Sequence, residues 1–180
     1  MRDKEHQIGL LKYFKPNLLA IRLVIRAEIT PTFKEKNNRA GSSFFVDYKL
    51  VRGTLIKGFE FHKALKNSFA KAAFMMFMIN EVHPFEDGNG RIARVMMNAE
   101  LVATGESKIL IPNVYRIDYL GALKKLTKQA NPDTYIRMLQ RAHEFSENVF
   151  GESMDEMQKY LESCSAFETE DDKILQIKER

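Results

Sequence analysis

The residues best suited to chemistry lie in one short stretch, 83–94, which reads His-Pro-Phe-Glu-Asp-Gly-Asn-Gly-Arg-Ile-Ala-Arg. An imidazole can take a proton from a hydroxyl near neutral pH, and a carboxylate can hold a hard cation. Guanidinium groups and the free N–H groups of a helix N-terminus both bind phosphate. The stretch therefore predicts a site that holds a polyphosphate beside a base, as a nucleotide-dependent transfer reaction requires.

The order of these residues indicates how the chain turns. Pro84 disfavours the helical conformation at His83, so a preceding helix should end there. Gly88 and Gly90 should adopt backbone conformations that a β-carbon forbids and let a ligand approach the chain closely. The helix that follows should present its N-terminus to an anion.

Three side chains complete the predicted phosphate site. Arg91 and Arg94 lie three positions apart, so both project from the first turns of the following helix. Asp87 is placed to hold Mg²⁺, which favours one or two carboxylates together with substrate phosphates. Each feature alone is also ordinary: a helix-end histidine, a Gly-Asn-Gly turn and an arginine pair are usually structural, and the prediction depends on their convergence.

Apolar helices are predicted on both sides of this stretch. Residues 68–82 leave hardly any polar face, which is typical of a central helix covered by others, and the methionines there are interpreted as core filler. Residues 91–102 continue as a helix that ends before Gly105. Further helices are predicted at 17–29, 51–58, 60–66, 117–130 and 134–149, within 151–172, and at 173–180 as a last helix cut short.

Residues 33–45 have a different character. Their polar, turn-prone centre is followed by Ser42-Ser43-Phe44-Phe45-Val46, which is typical of a short strand. Either a two-stranded hairpin with its turn near residues 38–41 or a surface loop fits. The fold class predicted is all-α, with about six to eight helices around the central apolar helix and at most one small hairpin.

Composition excludes several classes of protein. The 180 residues are 44% apolar and 29% charged with a net charge of +4, which is typical of a globular chain and not of a disordered one. No basic stripe with interleaved aromatic residues is present, so nucleic-acid binding is disfavoured. Cys164 is the single cysteine, so no disulfide can form within the chain, which fits a reducing compartment. Two arginines interrupt the apolar run 18–26 too early for a signal peptide or a membrane span. These features predict a cytoplasmic protein without a membrane segment.

The 83–94 stretch resembles the signature of the Fic domain family, His-x-Phe-x-(Asp/Glu)-Gly-Asn-Gly-Arg-x-x-Arg. The matching positions are His83, Phe85, Asp87, Gly88, Asn89, Gly90, Arg91 and Arg94. The resemblance implies an all-α Fic fold with a core at about 29–150, an N-terminal helical extension at 1–28 and a C-terminal helical segment or truncated appendage at 151–180.

The resemblance also implies an activity, the transfer of AMP from ATP to a Ser, Thr or Tyr hydroxyl of a protein. His83 would be the general base, Asp87 would hold Mg²⁺, and Phe85 would anchor the loop in the core. Gly88, Asn89 and Gly90 would form an anion hole, and Arg91 and Arg94 would bind the phosphates. The hairpin would be a flap that docks the target by strand addition, with Lys36, Asn37, Asn38, Arg39, Gly41, Ser42, Ser43 and Phe44 as the candidate docking residues.

Two alternatives to AMP transfer stay open. Transfer of another phosphate-containing group is one, although Doc-type phosphorylating relatives have Lys where this chain has Gly90. A non-catalytic nucleotide-binding module is the other. The inhibitory pattern (Ser/Thr)-x-x-x-Glu-(Gly/Asn) of many relatives is absent from the chain, so a separate, antitoxin-like inhibitory protein is a candidate partner, as is a second copy of the chain.

Overall fold

The structure is a computed structural model that describes residues 33–41, 43–169 and 173–178. The helix predicted at 17–29, and the extension at 1–28 to which it belongs, lie outside this range. The described residues form a two-stranded hairpin, six α-helices and one 3₁₀ turn. The all-α fold class with a small hairpin is therefore confirmed.

The strands are two residues long, and the helices have 10 to 15 residues each. The antiparallel strands are β1 (Arg39–Ala40) and β2 (Ser43–Phe44), paired with Arg39 opposite Phe44 and Ala40 opposite Ser43. The helices are α1 (Val51–Ala64), α2 (Ser68–Val82), α3 (Asn89–Val102), α4 (Arg116–Gln129), α5 (Asp133–Glu147) and α6 (Met154–Ser163), and the 3₁₀ turn is Asn113–Tyr115.

The chain divides into two compact units, 1–106 and 107–180. The first unit contains the hairpin and α1 to α3, and the second contains the 3₁₀ turn and α4 to α6. The boundaries expected near residues 28 and 150 stay predictions.

Helix α2 is the centre of the first unit. Every one of its residues is buried or half-buried, and it packs against both α1 and α3. Its N-terminus is capped by Asn67, whose side chain accepts a hydrogen bond of 2.9 Å from the Ala70 N–H. The prediction of a central helix that is apolar on all sides is confirmed, because a helix without a polar face must be covered on every side.

Helix α1 corrects the prediction of two short segments at 51–58 and 60–66, since one continuous helix runs from Val51 to Ala64 and residues 65–66 lie beyond its end. Gly58 lies inside it, where a β-carbon would come within 2.2 Å of the Met78 sulfur of α2. The glycine therefore provides space for the neighbouring helix and does not end α1. Tertiary packing outweighs the low helix propensity of this residue.

The second unit has its own core. Helices α4 and α5 pack together, and the rings of Phe145 and Tyr160 connect α5 to α6 at a centroid distance of 6.3 Å. The helix predicted at 173–180 is wrong over 173–178, which are not helical. Leu175 is buried there, and the neighbouring main chain bonds to earlier residues: Gln176 N–H donates to the Cys164 carbonyl at 3.1 Å.

Among the described residues, no helix is long and apolar enough to cross a bilayer.

The two glycines of α1 provide a matched test of its packing. Gly53→Ala places a methyl group in open space and should raise the free energy of unfolding by about 0.5–1 kcal/mol, through helix propensity. Gly58→Ala should lower it by about 1 kcal/mol, because the methyl group overlaps Met78. Urea unfolding of both variants measures the difference, and equal stabilisation by the two would contradict the packing described for α1.

Candidate active site

The predicted site lies where α2 ends and α3 begins. Residues 83–88, here called the motif loop, connect the two helices. His83 ends α2 in the left-handed conformation, with φ 48° and ψ 59°, while its N–H still donates to the Ile79 carbonyl at 3.0 Å. A residue that precedes proline is expected to be extended. The left-handed conformation found at His83 instead costs a non-glycine residue about 1–2 kcal/mol.

The His83 ring has a defined proton arrangement. Its Nδ1 lies 3.0 Å from the Asn80 carbonyl oxygen. A carbonyl can only accept, so Nδ1 carries the proton and Nε2 of the neutral ring keeps its lone pair. Burial lowers the pKa of His83, and the Lys34 charge acts in the same direction, against the opposing effect of the Asn80 bond. The neutral, proton-accepting form is therefore favoured near pH 7.

Asn89 closes the motif loop. It is 2% exposed, its Oδ1 accepts from the Phe85 N–H at 2.9 Å, and its Nδ2 donates to the Phe85 carbonyl at 2.8 Å. Both ends of the side-chain amide are thus engaged with the main chain of one residue. Phe85 itself is half-buried, with its ring 6.1 Å from that of Phe33, whereas Pro84 is fully buried.

The two glycines of the motif differ in conformation. Gly88 precedes α3 with φ 79°, which favours glycine, and its carbonyl accepts the Ile92 N–H at 3.0 Å. Gly90 lies in the first turn of α3 and does not have a positive φ, so the expectation of unusual backbone there is wrong. A β-carbon at Gly90 would instead contact the Arg94 guanidinium at 3.5 Å.

The two arginines have different surroundings. Arg91 forms an exposed ion pair with Asp87 at 3.2 Å, and such pairs contribute little free energy. Arg94 is half-buried and has no hydrogen-bond or ion-pair partner within the described part of the chain. A partly desolvated guanidinium without a carboxylate is well suited to bind an anion.

Asp87 fits a magnesium ion that arrives with phosphate. Its side chain is 93% exposed and its carboxylate has only the Arg91 contact to give up. Within the described residues, no group of three or more His, Cys, Asp or Glu residues could hold a metal by itself. One carboxylate beside an anion site is the donor set that Mg²⁺ takes with a nucleotide.

The segment that leads into the hairpin is hydrogen-bonded to the motif loop. Lys34 is 2% exposed, its N–H donates to the Pro84 carbonyl at 2.8 Å, and its Nζ donates to Val82 at 3.3 Å and to Asn38 Oδ1 at 2.8 Å. Asn38 Nδ2 in turn donates to the Phe85 carbonyl at 3.1 Å. These bonds join the segment before β1 to the main chain of Val82, Pro84 and Phe85, on both sides of His83.

The candidate docking residues divide into two groups. Asn38 is directed at the motif loop, and Asn37 donates to Asp47 at 2.9 Å while accepting the Tyr48 N–H, so both amides are used within the protein. Outward residues include Lys36, Arg39 and Phe44, the last 81% exposed. Ser43 is half-buried, Gly41 forms the turn with φ 55°, and Ser42 lies outside the described residues.

Sequence reasoning missed Lys34 and Phe45. The Phe45 ring stacks on the His83 ring with centroids 3.6 Å apart and planes inclined by 6°. Strand alternation was an available signal, because Phe44 and Phe45 must point to opposite sides and one of them must face the protein. No local pattern distinguishes Lys34 from the exposed Lys36.

Comparison with known proteins agrees with this geometry. The sequence profile described as "Fic/DOC family" matches residues 15–101, which include the hairpin and the complete 83–94 stretch. This segment, just under half of the chain, is therefore similar to the Fic/DOC family. The hairpin, the motif loop and the α3 N-terminus all lie within the segment that matches this profile.

Relatives and solved structures extend the comparison. A protein named "Protein adenylyltransferase Fic" from Drosophila persimilis is 34% identical over 68 residues, which are 38% of this chain and 13% of that protein. Fic-1 from C. elegans has a TM-score of 0.54 at 19% identity, over 74% of this chain and 37% of that one. A Fic-domain signalling protein from Bacteroides thetaiotaomicron has a TM-score of 0.52 at 22% identity, over 64% and 55%. The chain thus spans a small part of its named relative, and the two solved structures support the fold.

Removing the Asn89 amide should loosen the motif loop. Asn89→Ala leaves the Phe85 N–H and carbonyl without this partner, and we expect the free energy of unfolding to fall by about 2 kcal/mol. Asn148→Ala, which loses one exposed bond to Glu144, is the matched control and should cost about 0.5 kcal/mol. Chemical unfolding compares the two, and an Asn89→Ala loss no larger than the control would refute the bracing role.

The charge of Lys34 should hold down the pKa of His83. We expect an NMR titration of His83 with a midpoint below 6.5, and a higher midpoint in Lys34→Met, which keeps the buried stem and removes the charge. Lys36→Met changes an exposed lysine nearby and should leave the midpoint unchanged. A midpoint in Lys34→Met at or below that of the parent would contradict the assignment.

The same shift sets a pH dependence of stability. The unfolded chain, with His83 near pKa 6.5, binds the proton before the folded chain does, so the His83 contribution to stability is lost as the pH falls below 6.5 towards the folded pKa.

Proposed function

We propose that this chain is a protein adenylyltransferase, which transfers AMP from ATP to a Ser, Thr or Tyr hydroxyl of another protein and releases pyrophosphate. The observation that carries the proposal is a neutral imidazole whose Nε2 can accept a proton, on the loop that leads into a helix N-terminus. The half-buried Arg94, which has no partner among residues 33–41, 43–169 and 173–178, lies in the first turns of that helix. A base beside an anion site is what a phosphate transfer to a hydroxyl needs. The name of the Drosophila relative supports the same reaction.

The proposed step balances as a displacement at phosphorus. Nε2 of His83 takes the hydroxyl proton while the hydroxyl oxygen forms a bond to the α-phosphorus. The bond from that phosphorus to the α,β-bridging oxygen breaks, and its electron pair leaves with pyrophosphate. The proton remains on His83 as imidazolium, with Nδ1 still bonded to Asn80, until it passes to solvent.

The phosphates would lie against the first turn of α3. The main-chain N–H groups after Gly88, the helix dipole and Arg94 would attract the negative charge. Arg91 would turn from Asp87 to the phosphates, and breaking this exposed pair costs little. Asp87 would then be free to hold Mg²⁺, which when bound neutralises and orients the phosphates.

The target segment would lie along the hairpin. Strand addition uses main-chain hydrogen bonds, so the exposed edge beside β1 and β2 can hold an extended segment of varied sequence. Of the outward residues, Lys36, Arg39 and Phe44 would contact the target. Asn37 and Asn38 would support the hairpin from below.

Incubation of the purified protein with ATP and a cell lysate tests the reaction. Mass spectrometry should detect modified hydroxyl residues that gain the mass of AMP. A gain of phosphate alone would instead support transfer of another group, and nucleotide binding without any transfer would support a non-catalytic module. Gly90 favours the first outcome, since Doc-type phosphorylating relatives carry Lys at that position.

Two substitutions distinguish the base from the metal ligand. His83→Ala should slow AMP transfer by about 10²–10⁴-fold with ATP affinity nearly unchanged, because base catalysis acts in the transition state. Asp87→Ala should weaken both transfer and Mg·ATP binding, because the metal also orients the bound phosphates. Calorimetry and a transfer assay provide the two measurements; parental activity in His83→Ala would eliminate its role as base.

A further inference from the structure

The ring of Phe45 lies face to face with the ring of His83, at a centroid distance of 3.6 Å and an angle of 6°. Both side chains are half-buried. Phe44, its neighbour in the chain, is 81% exposed on the other side of the hairpin. The hairpin thus directs one aromatic side chain at solvent and the next at the histidine.

Two contacts restrict the His83 ring in complementary ways. The Asn80 carbonyl accepts from Nδ1 at one edge, and Phe45 covers one face. Without the covering ring, the imidazole could rotate about its last side-chain bond, whose energy wells are broad. Such a rotation would break the bond of Nδ1 to the Asn80 carbonyl and move Nε2 from its present position.

Phe45 is itself held in place by the hydrogen bonds between the hairpin segment and the motif loop. Lys34 and Asn38 bond to the main chain of Val82, Pro84 and Phe85, on both sides of His83. The Asn38 carbonyl also accepts the Phe45 N–H at 3.5 Å. The spacing between the two rings is therefore set by hydrogen bonds to the motif loop and not by a freely moving flap.

We propose that Phe45 is a positioning residue for His83: its ring holds the imidazole in the orientation and tautomer that leave Nε2 free to accept a proton. The hairpin then has a second task beside target docking, because the same segment orients the base. The orientation itself is independent of any reaction, whereas its effect on turnover rests on the proposed adenylyltransferase activity. Orientation within a fraction of an ångström is worth a large factor in rate.

The competing explanation is that Phe45 only fills space beneath the hairpin. In that case Phe45→Leu would lower stability but leave the histidine tautomer and orientation as they are. Stability alone cannot separate the two explanations. The measurement that separates them is the tautomer and orientation of the His83 imidazole.

NMR of selectively labelled histidine provides that readout. In the parent, the stacked ring should shift the His83 carbon-bound protons upfield, and the nitrogen shifts should indicate a single tautomer with the proton on Nδ1. Phe45→Leu should move the proton signals downfield and populate the other tautomer, while Phe45→Tyr should keep the parental pattern. Phe61→Leu, at an exposed phenylalanine of α1, is the matched control and should change nothing.

Kinetics on the same four proteins measure the consequence. Phe45→Leu should lower kcat for AMP transfer by about 10–100-fold with KM for ATP unchanged, and Phe45→Tyr should recover most of it. Parental His83 signals in Phe45→Leu would overturn the proposal, as would a parent spectrum without the upfield shift, which decides the matter even if Phe45→Leu does not fold. Absence of AMP transfer by the parent would instead refute the proposed function, and the histidine spectra would still decide the role of Phe45.

Discussion

The main-chain carbonyls around the motif loop need hydrogen-bond donors because the hairpin segment covers them. The arrangement of the site depends on this requirement. A buried carbonyl without a partner costs about as much as a lost hydrogen bond, so each needs one. Val82 receives the Lys34 ammonium, Pro84 receives the Lys34 N–H, and Phe85 receives both Asn38 and Asn89. Three of these four donors come from the hairpin segment and one from α3. The hydrogen bonds that satisfy the loop carbonyls therefore also hold the hairpin, the motif loop and the α3 N-terminus together.

The same arrangement creates an uneven charge distribution. Lys34 is buried between the hairpin segment and the motif loop, Arg94 is half-buried, and the α3 N-terminus adds partial positive charge. No carboxylate among the described residues neutralises Arg94. The local excess of positive charge is well matched to a polyphosphate. Burial lowers the pKa of His83 and the Lys34 charge acts in the same direction, so the neutral imidazole is favoured.

The sequence predicted those features that depend on local pattern. The absence of a polar face at 68–82 predicted a central helix, which α2 confirms. The residue types at 83–94 predict a phosphate site, which stays a prediction. Patterns failed where distant residues decide. Gly58 looked like a helix breaker because nothing local reveals Met78, and 173–178 looked helical although its main chain bonds to residues near Cys164 and Tyr160. The docking role of Asn37 and Asn38 stays a prediction, but no local pattern shows that their side-chain amides bond to Asp47, Tyr48 and Phe85.

By itself, the sequence determined which groups are available and that they occur together, since covalent spacing fixes an imidazole, a carboxylate and two guanidiniums within twelve residues. It could not determine where those groups point. The proton on Nδ1 follows from a carbonyl one turn earlier, and the orientation of the imidazole from a phenylalanine 38 positions away. Tertiary structure decided these points, because hydrogen bonds and ring contacts depend on distance in space, and the folded hairpin brings together residues that the chain keeps apart.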